Sequence, residues 1–131
     1  MLPARDLKKI KAAAIFAAEE AGKIAMKYYR KRIVVHEKEA AGLVTKVDIQ
    51  SEALIKKILY KQFPEFIFLG EETGLSCKLD QDVPMWHVDP LDGTTNFVHG
   101  FPMFCVSIGL SYQGKSIAGV IHIPTLKETF H

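Results

Sequence analysis

Between Leu7 and Tyr28 the apolar positions recur every three or four residues, at Leu7, Ile10, Ala14, Ala17, Ala18, Ala21, Ile24, Ala25 and Tyr28. A stripe of that period is the core-facing side of a helix, and it predicts a long first helix reaching about Arg32. Ile33-Val34-Val35 then reads as extended and is followed by a loop. Asp48 is expected to cap a second helix, whose apolar positions Ile49, Ala53, Ile55, Ile58, Leu59 and Phe63 end before Pro64. Past Pro64 the pattern changes to short apolar runs. Phe66-Ile67-Phe68-Leu69 reads as a buried strand, residues 73–84 as a polar surface loop, and residues 85–88 as the end of another buried strand. Residues 104–112 and 116–123 read as two strands joined at Gln113-Gly114-Lys115, a hairpin signal with Gly in the turn. Pro124 closes the second of these, and residues 128–131 begin a third. A sheet that stopped there would leave an edge unpaired. There are no internal repeats or low-complexity segments.

The chemistry concentrates where strands end. Pro90 has no N–H to give to a ladder and is expected to stop the strand at Asp89. In Asp89-Pro90-Leu91-Asp92, Asp89 and Asp92 can then converge on one point, with the Leu91 carbonyl as a third hard oxygen. Mg²⁺ takes such oxygens and leaves the rest of its octahedron to water and phosphate. Gly93-Thr94-Thr95 opens a helix predicted to run to about Gly100, and its unpaired N–H groups suit a phosphate. Gly70-Glu71-Glu72 follows the earlier strand directly, and ligands of α/β sheets bind at strand ends. If Glu71, Asp89 and Asp92 lie roughly 4 Å apart, each like-charge pair costs about 4 kcal/mol at an effective dielectric of about 20. Such a cluster requires bound cations or raised pKa values. Two divalent ions, with Glu71 bridging toward the second, would clamp the attacking and leaving oxygens of a phosphoryl transfer.

In these motifs, and more weakly in Leu43-Val44-Thr45-Lys46-Val47-Asp48, the chain resembles the inositol monophosphatase family of lithium-sensitive, Mg²⁺-dependent phosphomonoesterases. Order and spacing agree for all three elements, from the first helix onward. The resemblance implies an α/β layered sandwich in which two N-terminal helices pack on a largely antiparallel sheet. It implies metal ligands at Glu71, Asp89, the Leu91 carbonyl and Asp92. It implies that Asp48 and the Thr94 hydroxyl orient the attacking water, with Glu71 also assigned to catalysis, and that Gly93, Thr94 and Thr95 contact the phosphate. Two or three Mg²⁺ ions per site are expected, with Mn²⁺ as a substitute, together with a homodimer. Relatives act on inositol monophosphates, fructose 1,6-bisphosphate or adenosine 3′,5′-bisphosphate; an inositol monophosphate is the expected substrate here.

The family also carries a second half with a Trp-Asp-x-Ala-Ala-Gly type segment whose Asp completes the second metal site. These 131 residues contain none. The chain is therefore expected to be the N-terminal portion of such a domain, and a non-catalytic half, or dimerising module with a weakened metal site, is the alternative. Gly42 also stands where relatives usually carry an acidic residue. A further alternative is a haloacid-dehalogenase-type phosphatase, whose Asp-x-Asp-Gly-Thr motif carries a nucleophilic Asp. The extra residue between Asp89 and Asp92 weighs against it, because residues two apart on a strand share a face and residues three apart do not.

Composition narrows the rest. A chain 48% hydrophobic and 24% charged suits one folded domain or part of one. Its 17 basic and 15 acidic residues are interspersed at net charge +2, so no nucleic-acid partner is expected. Cys77 and Cys105 form no Cys-x-x-Cys site or disulfide framework, which makes a reduced cytoplasm the expected location. Lys8, Lys9 and Lys11 before the apolar residues 12–18 imitate a minimal signal peptide. The run is short and continues into Glu19-Glu20 at helical period, so the helix reading is preferred. No run approaches membrane-spanning length. His36, His87, His99 and His122 lack metal-ligand spacing and are read as structural.

Overall fold

The computed structural model describes residues 2–29 and 37–131. Two long helices, α1 (Ala4–Tyr28) and α2 (Glu37–Gln62), precede β1 (Ile67–Gly70), β2 (Gly74–Leu75), β3 (Met85–Asp92), the short α3 (Thr94–Val98), β4 (Cys105–Tyr112), β5 (Lys115–Ile123) and β6 (Glu128–Phe130). The strands form one six-stranded sheet in the order β2-β1-β3-β4-β5-β6. Among the described residues only β1 and β3 run parallel; every other neighbouring pair is antiparallel. Both long helices pack on this sheet, as the α/β layered sandwich requires.

The core lies between helices and sheet. α1 buries Ile10, Ala13, Ala14, Ala17, Ala18, Ala21, Gly22 and Ala25, side chains small enough to let the helix axis come close to the strands. The residues 12–18 that imitate a signal sequence lie within α1, with Ala13, Ala14, Ala17 and Ala18 on its buried face. Facing them, Phe68, Trp86, Val88, Val106, Ile108, Leu110 and Val120 alternate along β1, β3, β4 and β5 with Ile55 and Leu59 from α2. Burying each of the larger apolar side chains contributes about 1.5–3 kcal/mol. A second cluster of Ala25, Val47, Leu91, Phe97 and Phe104 lies at the C-terminal end of β3. There Tyr29 packs on Phe97 and Phe104 and donates its hydroxyl to the Gly100 carbonyl at 2.7 Å.

Several boundaries differ from those expected. α1 ends at Tyr28, short of Arg32, because Tyr29 turns to an extended conformation. The Ile33-Val34-Val35 segment and His36 lie outside the described residues. Asp48 is not an N-cap: α2 begins eleven residues earlier, at Glu37, and Asp48 lies inside it on the face turned to the sheet. The loop 73–84 contains the two-residue strand β2. α3 stops at Val98, not Gly100.

Pro90 does not end β3. Asp89 pairs with Ser107 and Asp92 with Cys105, so Pro90 and Leu91 together oppose the single Val106. That is a β-bulge, which absorbs the residue lacking an N–H and lets the ladder resume. The hairpin between β4 and β5 turns through Gln113 and Gly114, both at positive φ, as a two-residue turn of this hand demands. Three of the described histidines have hydrogen-bond partners within the fold. His122 Nδ1 lies 2.9 Å from Thr129 Oγ1, His87 Nε2 lies 2.8 Å from Ser111 Oγ, and the His99 N–H closes α3 on the Thr95 carbonyl.

Candidate active site

The bulge decides where the two aspartates of β3 stand. In an unbroken strand, residues three apart point to opposite faces. Here Asp89 and Asp92 oppose Ser107 and Cys105, which are two apart and share a face of β4. Both carboxylates are felt at one thiol: burial, then the charges of Asp92 and Asp89, push the Cys105 thiol up. Asp89 also accepts the Leu91 N–H at 3.2 Å, an Asx-type turn that stiffens the bulge. The Leu91 side chain is buried in the second core cluster.

The parallel pairing of β1 and β3 supplies the third acid. Gly70 is level with Val88, so the residues that follow them, Glu71 and Asp89, leave neighbouring strand ends together. Their carboxyl groups hydrogen-bond, and that bond, then partial burial, then the charges of Asp89, Asp48 and Glu72, push Glu71 up to about 7. Beside the Asp89 carboxylate the protonated form of Glu71 is favoured. A shallow depression lined by Gly70, Glu71, His87, Asp89 and Ser107 opens beside them.

Asp48 approaches from α2 and is only 6% exposed. Burial raises its pKa to about 6, with further contributions from the charges of Glu72, Asp89 and Glu52. Its Oδ1 is buried without a hydrogen-bond partner. An orphaned buried acceptor costs roughly 1–3 kcal/mol, and a donor or a cation offsets that cost. On the other side, Gly93 opens α3 at φ 88°. A Cβ there would meet the Met103 carbonyl oxygen at 3.0 Å, so glycine is demanded by conformation and by space. Thr94 is half-buried and Thr95 exposed in the first turn, and Asn96 braces the following loop by donating to the Met103 carbonyl at 2.8 Å.

The expected residues thus fall at one end of the sheet, with Asp48, Glu71 and Asp89 electrostatically coupled and Asp92 beside Cys105. Among the described residues, no three His, Cys, Asp or Glu side chains are disposed to hold a metal ion as they stand. Glu71 and Asp89 are engaged with each other. The donor set nevertheless suits a hard divalent cation: all carboxylate oxygens, mutually repelling, with one buried oxygen unpartnered.

One further acid at this end of the sheet belongs to none of the motifs. Glu52 is 1% exposed, and its Oε1 and Oε2 accept the backbone N–H groups of Glu72 and Thr73 at 2.9 Å each. Its signal is present in the sequence: Asp48 and Glu52 are four apart, between Val47 and Ile55 and Leu59. Two acids on the apolar face of one helix are out of place unless they serve a site.

Comparison with known proteins bears on the family and the fold. The sequence model of the inositol monophosphatase family matches residues 6–131. Inositol monophosphatase 3 of Solanum lycopersicum is 45% identical over 119 residues, covering 89% of this chain and 44% of that protein. The inositol monophosphatase of Mesembryanthemum crystallinum is 45% identical over 122 residues, covering 91% and 45%. Among solved structures, the inositol monophosphatase of Anabaena superposes with a TM-score of 0.80 at 38% identity, over 95% of this chain and 44% of that one. The chain spans about half the length of the relatives it matches. Sequence and fold agree over nearly all of its own residues, and the chain belongs to the inositol monophosphatase family.

Proposed function

We propose that this chain carries the metal-holding and water-orienting part of a Mg²⁺-dependent phosphatase acting on small phosphate monoesters, an inositol monophosphate foremost. The observation that supports this most is the Glu71–Asp89 carboxyl pair facing the buried, unpartnered Asp48. Carboxylates gathered at mutual electrostatic cost serve a cation or a proton transfer.

In this reading Glu71, Asp89, Asp92 and the Leu91 carbonyl hold Mg²⁺, with Mn²⁺ able to replace it. Bound there, the ions supply Lewis-acid polarisation of the phosphoryl oxygens and of the attacking water, and charge compensation for the leaving alkoxide. Asp48, whose carboxyl titrates close to neutrality, accepts a hydrogen bond from the water and, with the Thr94 hydroxyl, aims it in line at phosphorus. Glu71 adds a second carboxylate to that water. Gly93, Thr94 and Thr95 contact the phosphate.

An aspartyl-phosphate route is disfavoured in this reading, because Asp89 is assigned to the metal together with Glu71. Family membership points the same way. Lithium sensitivity, a homodimer and a cytoplasmic location belong to the same proposal, as does the status of residues 1–131 as the N-terminal portion of the domain. Among the described residues no helix is long and apolar enough to cross a membrane.

The test is Mg²⁺-dependent phosphate release from inositol 1-phosphate, fructose 1,6-bisphosphate and adenosine 3′,5′-bisphosphate, with the parent chain and Asp89→Asn side by side. Release by the parent and its loss in the variant are expected; full activity in the variant overturns the assignment. A second reading, a non-catalytic half with a weakened metal site, draws on the finding that no metal-holding trio is preformed among the described residues. Tight binding of two Mg²⁺ ions per chain would count against it.

A further inference from the structure

We propose that Glu52 is the positioning residue of this site, the group that holds Glu71 where it can meet Asp89. The inference rests on the reading of Glu71 as a metal-holding carboxylate. Glu52 belongs to α2 and Glu71 to the turn after β1, and the two are linked through the backbone. The Glu52 carboxylate accepts the N–H groups of Glu72 and Thr73, 2.9 Å to each oxygen. Two consecutive amides held by one rigid carboxylate fix the path of the chain one residue beyond Glu71, and so the direction in which Glu71 leaves the strand.

The burial of Glu52 makes these two bonds necessary. A carboxylate 1% exposed without a partner would cost several kcal/mol. The side-chain ion pairs among the described residues lie elsewhere, at Arg5–Asp6 and Lys23–Glu20. Charge-assisted hydrogen bonds from the turn therefore meet the charge. With one N–H on each oxygen and its carboxyl packed beneath Gly70, Glu52 acts through the turn and touches no reacting atom. Gly70 completes the fit, because a Cβ at that position would come 2.5 Å from the Glu52 carboxyl carbon and Oε1.

Glu52 follows Asp48 by four residues, so both stand on one face of α2. A single helix thereby carries the buried Asp48 and sets the turn that bears Glu71. The register of two groups that sit far apart in the sequence becomes a property of one rigid element, as a preorganised site needs.

The experiment measures amide hydrogen exchange by NMR on the metal-free chain and Mg²⁺ affinity by calorimetry, for the parent, Glu52→Gln, Gly70→Ala and Asp89→Asn. In Glu52→Gln one oxygen becomes an NH₂ facing an N–H. Exchange at Glu72 or Thr73 should then accelerate at least about tenfold while α1 amides stay protected, and Mg²⁺ should bind about tenfold more weakly. Phosphate release at saturating Mg²⁺ should recover toward the parent rate, a split that general loss of stability would not produce. Gly70→Ala, which pushes on the same carboxylate from the other side, should give the same pattern, so the inference does not depend on one variant folding. Unchanged exchange at Glu72 and Thr73, or unchanged Mg²⁺ affinity, in Glu52→Gln while Asp89→Asn loses the metal would overturn the role of Glu52 alone. Unchanged Mg²⁺ binding in Asp89→Asn would overturn the metal reading on which it rests.

Discussion

Glu71 and Asp89 are eighteen positions apart in the sequence and hydrogen-bonded in the fold, because β1 and β3 run parallel and bring Gly70 level with Val88. The strands' hydrophobic faces fix that register, since a slip of one residue would turn Phe68, Trp86 and Val88 out of the core. Packing beneath the sheet thus brings two acids together above its end. The raised pKa of Glu71 marks the place where a cation is expected.

The pH dependence of stability follows from these shifts. Glu71 is raised to about 7 and Asp48 to about 6, above their ordinary values of 4.5 and 3.8. A folded-state pKa above the unfolded one means that the fold holds protons the unfolded chain has released. The contribution is full below the ordinary carboxylate pKa and is lost as pH rises through about 6 to 7. The metal-free chain should lose melting temperature between about pH 5 and 8 from these two groups, and Mg²⁺ should restore more of it at pH 8 than at pH 6. Thermal melts with and without Mg²⁺ check this; a Mg²⁺ effect independent of pH would contradict it.

His122 runs the opposite way. Burial lowers its pKa, partly opposed by the charge of Glu19 and a backbone hydrogen bond at Glu128. The fold favours the neutral ring, so its contribution is present above the ordinary pKa of 6.5 and declines as pH falls through the lowered value. Urea unfolding of the parent and His122→Gln should therefore show a stability difference that shrinks from about pH 7 to pH 5. A difference that grows over that window would reverse the assignment.

Gly93→Ala places a β-carbon at φ 88°, within 3.0 Å of the Met103 carbonyl oxygen. The expected cost is about 1–3 kcal/mol, read as a lower urea midpoint at unchanged m-value. Equal midpoints would mean that the turn into α3 is not held as described.

Leu91→Ala removes a side chain 1% exposed in the cluster with Ala25, Val47, Phe97 and Phe104. A loss of about 2–5 kcal/mol is expected. Because Leu91 lies inside the bulge between Asp89 and Asp92, Mg²⁺ affinity should fall with it. Calorimetry showing parent affinity in a destabilised variant would separate the bulge from the site.

The strands, the hairpin and the first helix are legible in the sequence because each buries one apolar face with its own period. α2 is legible only in its second half. On its inner side Asp48, Ser51 and Glu52 are buried, so the apolar period fails where the site begins, and Asp48 looks like a cap. The same polar burial conceals Glu52. The role of Pro90 is hidden for a different reason: its missing N–H is visible in the sequence, but whether a strand stops or bulges depends on the register of β4, which is a tertiary property. β2, at two residues, is too short to carry any pattern.

The most direct test of the account is calorimetric titration of Mg²⁺ into the chain and into Asp89→Asn near pH 7, in two buffers of different ionisation enthalpy. Binding by the parent with release of a proton, the one Glu71 holds near pH 7, and loss of that binding in the variant are the predicted results. Equal binding by both chains, or binding without proton release, would contradict it.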